Sequence, residues 1–151
     1  MNTSVDEDWR PGDDVRVVEV DIPSDVQYIE RVVELVRREC QQMAYGPRQI
    51  MLNVPVALTE AISNAILRGN REDPEKHVHI HARVSAERLI VEVKDEGFGF
   101  DVDRCTVDPT TPENVEREDG RGLFLMRKLM DRVEHLEADR GSIVRMTLHR
   151  G

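Results

Sequence analysis

A chain of 151 residues with 30 acidic side chains against 21 Lys and Arg, a formal charge of -9 and an isoelectric point near 5.0 fits one domain that buries about 68 to 70% of its unfolded surface in a single core. The acidity argues against nucleic acid or an anionic membrane as the main partner, since both reward basic patches, although phosphate can still bind through backbone amides. No basic-then-apolar leader opens the chain, no apolar run reaches the roughly 20 residues that span a bilayer, and Cys40 and Cys105 lack metal spacing and are expected to be reduced, so the expectation is a cytoplasmic protein.

Residues 1–14 carry Asp6, Glu7, Asp8, Asp13 and Asp14 with Pro11 and Gly12, a composition that buries little and predicts a mobile acidic tail, with Trp9 its one large apolar group. A strand is predicted over 15–22 and closes at Pro23, because the residue before proline prefers extended angles. Ser24 can cap the helix that follows, with Gln27 completing a capping box. Val26, Ile29, Val33, Val36, Cys40 and Met43 then fall three or four apart on one core-facing stripe. Gly46 and Pro47 interrupt that pattern. A second helix is predicted over 48–68, with Pro55 either in a first turn or at a kink, so its regular part is expected to begin near Val54. Ala57, Leu58, Ala61, Ile62, Ala65 and Ile66 form its apolar face, while Glu60 and Asn64, four apart, project from a neighbouring stripe. Gly69 and Asn70, which tolerate left-handed angles, end it.

Alternation of Val78, Ile80, Ala82 and Val84 with His77, His79, His81 and Arg83 predicts a strand over 77–84 whose histidines share one face; a metal row and a solvated row are both open to it. A turn over 85–88 leads to a strand over 89–94, where Val91 and Val93 alternate with Glu92 and Lys94. That strand runs into Asp95-Glu96-Gly97-Phe98-Gly99. A carboxylate is an acceptor only, so an acid fixed at a strand end and followed by bare main chain suits a neutral ligand edge bearing N–H donors, although the same pattern also occurs in ordinary turns. Residues 100–119, with Pro109, Pro112, several acids and almost no apolar periodicity, predict a lid or flexible loop. Gly120-Arg121-Gly122 then opens an amphipathic helix, where free N–H groups and the helix dipole make an anion site that needs no net basic charge. Strands over 133–138 and 143–148, around a turn at Asp139-Arg140-Gly141-Ser142, finish the chain.

Each of these signals has a bland reading; an exposed Glu–Asn pair on a helix is commonly just solvated. Their order is more specific. Glu60-Ala61-Ile62-Ser63-Asn64-Ala65, Asp95-Glu96-Gly97-Phe98-Gly99, and Gly120-Arg121-Gly122-Leu123 with Met126 and Met130-Asp131 match in turn the N box and the two glycine boxes of the histidine-kinase-like (GHKL) ATPase superfamily. Within it the chain resembles the anti-sigma-factor serine kinases, from the first strand to Leu148.

The resemblance implies a two-layer α/β (α+β) sandwich over 15–151, the Bergerat fold, with a mixed, largely antiparallel sheet and helices on one face. It implies ATP and Mg²⁺ as cofactors. Asp95 would accept from the adenine amino group, Gly97 and Gly99 would let the base approach, and Ser142 would support it through water. Asn64 would hold Mg²⁺, a hard ion suited by an amide oxygen. Gly120, Arg121, Gly122 and Leu123 would surround the phosphates, and Glu60 would be the catalytic base for a serine hydroxyl. The implied partners are an anti-anti-sigma factor, phosphorylated on serine, and a sigma factor, with a homodimer as the expected assembly and no direct contact with nucleic acid or membrane. The alternative is an ATP-gated module that sequesters a regulator without phosphorylating anything. Arg68, where the family commonly has histidine, and Pro55, inside a usually regular helix, depart from the pattern.

Overall fold

The computed structural model describes residues 14–97 and 118–151. Nearly all of the acidic tail, Gly99, Cys105 and most of the expected lid lie outside the described residues. Five strands, β1 (Arg16–Pro23), β2 (His77–Val84), β3 (Arg88–Asp95), β4 (Arg132–Glu137) and β5 (Ser142–His149), form one sheet in the order β1-β2-β3-β5-β4. Every ladder among them is antiparallel. Helices α1 (Ile29–Gln42), α2 (Val54–Asn64) and α3 (Glu118–Leu129) pack on one face, which completes the expected two-layer α+β sandwich. The core lies between the layers. Val78, Ile80, Ala82 and Val84 of β2 are almost fully buried there, together with Leu89, Val91 and Val93 of β3. The alternation of β2 therefore does in space what its period of two demands.

The entry to α1 departs from the expected capping box. Ser24 turns inward and donates its hydroxyl to the Lys76 carbonyl at 2.6 Å. Asp25 caps instead, accepting from the Gln27 backbone N–H at 3.0 Å. A short 3₁₀ turn, Val26–Tyr28, precedes the helix and leaves Val26 half exposed rather than in the core. The buried stripe is Ile29, Val32, Val36 and Cys40, with Val33 and Met43 packed at its margin. Burial pushes the Cys40 thiol up to about 12, with the Glu39 charge adding to the effect.

The regular part of the central helix begins at Val54, where the sequence places it, and a wide π-helical turn, Gln49–Asn53, leads into it. Pro55 has no N–H and its ring would meet the carbonyl four residues back; the wide turn ahead of it carries the chain past that clash. A second π-helical turn, Ala65–Gly69, ends the helix. Left-handed angles fall on Arg71 (φ 53°) and Glu72 (φ 58°), whereas Asn70 keeps right-handed angles. The helical run Gln49–Gly69 is 21 residues long and holds an 18-residue window of mean hydropathy 1.5, so by length and composition it could cross a bilayer, contrary to the sequence expectation. In the fold it is the central core helix. Its face Ala57, Leu58, Ala61, Ile62, Ala65 and Ile66 is buried, and each large member contributes roughly 1.5–3 kcal/mol by leaving water.

Candidate functional site

Asp95 is the last residue of β3 and is only 5% exposed. Its Oδ1 accepts from the backbone N–H groups of Gly97 at 3.0 Å and Ser142 at 3.1 Å, and its Oδ2 accepts from the Ser142 hydroxyl at 3.0 Å. An ionised carboxylate offers about four acceptor positions, so these three bonds leave one. Three glycines close in on the group. A Cβ at Gly69 would overlap the Asp95 side chain, one at Gly141 would overlap its carbonyl and carboxylate, and one at Gly97 would lie 2.9 Å from Oδ1. Gly141 also has φ +79°, which only glycine adopts cheaply. Gly97 was legible from the sequence. Gly69 and Gly141 were visible only as a helix end and a turn, because their contact with Asp95 spans 26 and 46 residues of chain.

The second constellation is Glu60, Asn64 and Gly122. Glu60 and Asn64 are half-buried on α2, one helical turn apart. A Cβ on Gly122 would meet Glu60 Oε1 at 3.0 Å and Asn64 Nδ2 at 3.1 Å, so the bare backbone of α3 rests on both side chains. α3 already begins at Glu118, which places Gly120 and Gly122 in its first two turns rather than ahead of them. The free N–H groups of a helix belong to its first turn, which includes Gly120. Asn53 fastens the far end of the same pair of helices, donating its amide N–H to the Leu129 carbonyl at 2.6 Å. Met130 is buried, and Asp131 accepts from the His149 backbone N–H at 2.6 Å, tying the chain after α3 to β5.

Between α2, α3 and strands β3, β4 and β5 lies a cavity of about 220 Å³. Ala61, Ala65, Val93, Leu123, Met126 and Val144 give it apolar walls; Asn64, Arg68, Asp95, His135 and Ser142 supply polar groups, and Gly69 completes the side against Asp95. The cavity is smaller than the roughly 300–1,000 Å³ of sites that enclose a whole ligand. Asn64 lines the cavity and also touches Gly122, so the two constellations share one wall. His135, Val144 and Met126 were not singled out as cavity residues from sequence; their strand and helix periodicity carries no such signal.

On the outer face of the sheet the histidines of β2 are half-buried and two of them are paired. His77 Nδ1 lies 2.8 Å from Asp21 Oδ1, and His79 Nε2 lies 2.8 Å from Glu96 Oε2. The His77 backbone N–H donates to Glu96 at 3.0 Å, and this bond, with the His79 contact, holds the Glu96 carboxyl below its ordinary range. Among the described residues no three His, Cys, Asp or Glu side chains are grouped to hold a metal ion.

A two-layer α+β domain with an acceptor-bearing cavity under its central helix is the class these features define. Comparison with known families matches residues 22–148 to the histidine kinase-like ATPase domain, and the chain belongs to that family. It is 33% identical over 135 residues to serine-protein kinase RsbW of Bacillus subtilis, covering 86% of this chain and 83% of the relative. It is 31% identical over 152 residues to serine-protein kinase RsbW of Bacillus velezensis, covering 97% and 88%. An anti-sigma F factor of Oceanobacillus iheyensis is 26% identical over 99 residues, 64% of this chain and 68% of the relative.

Proposed function

We propose that this chain is an ATP-binding anti-sigma regulatory factor and protein-serine kinase, which binds a sigma factor and phosphorylates a serine of an anti-anti-sigma partner. The observation that carries this reading is the Asp95 carboxylate, buried beside the cavity, held by Gly97 and Ser142, and left with one acceptor position. That position takes the adenine amino group, and the apolar walls take the faces of the ring. Ser142 acts by bonding Asp95 directly, which orients the carboxylate toward the base. The phosphates lie along the start of α3, where Gly120 offers a first-turn amide and Arg121, Gly122 and Leu123 follow it in sequence.

Glu60 Oε1 and the side-chain amide of Asn64 both border Gly122, and the hard oxygen that each group carries suits Mg²⁺. Asn64 would hold the ion through its amide oxygen, and the ion, when bound, supplies neutralising charge to the phosphates. Glu60 takes the proton of the incoming serine hydroxyl as the serine oxygen bonds to the γ-phosphorus. The bond from that phosphorus to the bridging oxygen breaks, and ADP leaves with the electron pair. The reading carries with it a homodimer, a cytoplasmic setting and no direct contact with nucleic acid, the last in keeping with a formal charge of -9.

The test is transfer of labelled phosphate from Mg-ATP to a candidate anti-anti-sigma factor, with the isolated protein as control and sedimentation for the dimer. Phosphoserine on the regulator is the expected result. A chain that binds the regulator only with ATP yet transfers nothing is a sequestering module instead.

A further inference from the structure

Asn70 is fully buried, and its side chain bonds to three other segments of chain that meet behind the Asp95 turn. Its amide N–H groups donate to Ser24 Oγ at 2.9 Å and to the His77 carbonyl at 2.8 Å, while its Oδ1 accepts from the Glu96 backbone N–H at 2.8 Å. Ser24 has already given its own proton to the Lys76 carbonyl. Residue 70 therefore has to supply two donors and one acceptor, which among side chains of this length only an asparagine amide does.

The Glu96 N–H that Asn70 fixes belongs to the peptide bond leaving Asp95. The residue before Asn70 is Gly69, whose backbone presses on the Asp95 carboxylate. One side chain thus sets both the direction of the acid and the wall it rests against. We propose that Asn70 is a positioning residue for base recognition, acting through Asp95; this deepens the nucleotide reading above and rests on it. Asn70 is not among the residues that line the cavity, and its side-chain bonds go to Ser24, His77 and Glu96, not to Glu60 or Asn64. Its loss should therefore fall on recognition of the base and spare the groups placed at the phosphates.

The test uses the full chain and its Asn70→Asp and Asn70→Ala variants, with ATP and GTP affinities from calorimetry and competition. Asn70→Asp still accepts from Glu96 but turns an oxygen toward the Ser24 and His77 acceptors. ATP affinity should fall about tenfold. The preference for ATP over GTP should shrink, because guanine offers a carbonyl where adenine offers the amino group that a well-placed Asp95 selects. Where transfer is measured, KM should rise with kcat at saturation unchanged. Ser24→Ala removes one spoke of the junction and is the milder variant if Asn70→Asp does not fold; it should lower ATP affinity in the same direction by a smaller factor. Unchanged ATP affinity in the folded variants overturns the proposal, as does an equal fall for ATP and GTP, which marks general loosening. A wild-type chain that binds no Mg-ATP overturns the nucleotide reading and this proposal together.

Discussion

Gly69 lies so close to Asp95 that a methyl group at residue 69 would occupy the space of the carboxylate. Neither partner can retreat, since Gly69 ends the central core helix and Asp95 is buried at the end of β3. The contact joins the helix that carries Glu60 and Asn64 to the acid beside the cavity, so the family's first two boxes meet through a residue outside both. Gly69→Ala is expected to lose most Mg-ATP binding and to destabilise the fold by about 1–3 kcal/mol, the range for forcing extra volume into a packed interior. Calorimetry and denaturant unfolding measure the two effects; wild-type values for both would show that the wall gives way freely.

Asp95→Asn should separate recognition from folding. An asparagine can keep its oxygen toward the Gly97 and Ser142 N–H groups, and the Ser142 hydroxyl can rotate to accept from the new amide. The fold should therefore survive with near wild-type melting, while an amide donor would face the adenine amino group. Mg-ATP affinity is expected to fall by tenfold or more, the order of one buried polar mismatch. Affinity equal to wild type would remove Asp95 from adenine recognition.

Local periodicity explains why so much of the architecture was legible. The alternation of β2, the apolar face of α2 and the start of its regular part at Val54 all follow from neighbours within a few residues. What escaped the sequence depends on distant partners. Ser24 was expected to cap α1 and instead serves the Lys76 carbonyl 52 residues away. Asn70 looked like a helix terminator and proves to be a buried junction, because its partners Ser24, His77 and Glu96 come from three other segments. At the candidate site Glu60, Asn64, Asp95 and Gly97 were named from motif alone, whereas Gly69 and Gly141 required the third dimension.

Glu96 links the Asp95 turn to pH. Its carboxyl is held below the ordinary value of 4.5, first by the His77 backbone N–H and then by the His79 ring. A depressed carboxylate contributes stability that is present above its unfolded value and is lost as pH falls through the folded one. Glu96→Gln should therefore melt below wild type at neutral pH, with the gap steady down to about pH 5 and closing in stronger acid. Thermal unfolding across that range checks it. A gap that persists undiminished at about pH 3 would show that the carboxylate charge is not what the two histidines hold.

Glu60 and Asn64 stand one helical turn apart against Gly122, so the proposed base and the proposed ion ligand address the same point. Their variants should nonetheless differ. Glu60→Gln keeps size and hydrogen bonding but cannot take the serine proton, so phosphate transfer should fall by about 10² to 10⁴ with Mg-ATP affinity nearly unchanged. Asn64→Ala should weaken Mg-ATP binding and transfer together, because an octahedral Mg²⁺ site tolerates a lost ligand poorly. Both side chains are half-buried at a bare-backbone contact, so neither change should cost much fold stability, and unfolding curves would confirm that losses of activity are chemical. Transfer by Glu60→Gln at the wild-type rate would sink the catalytic role. Wild-type Mg-ATP affinity in Asn64→Ala would move the ion to other ligands.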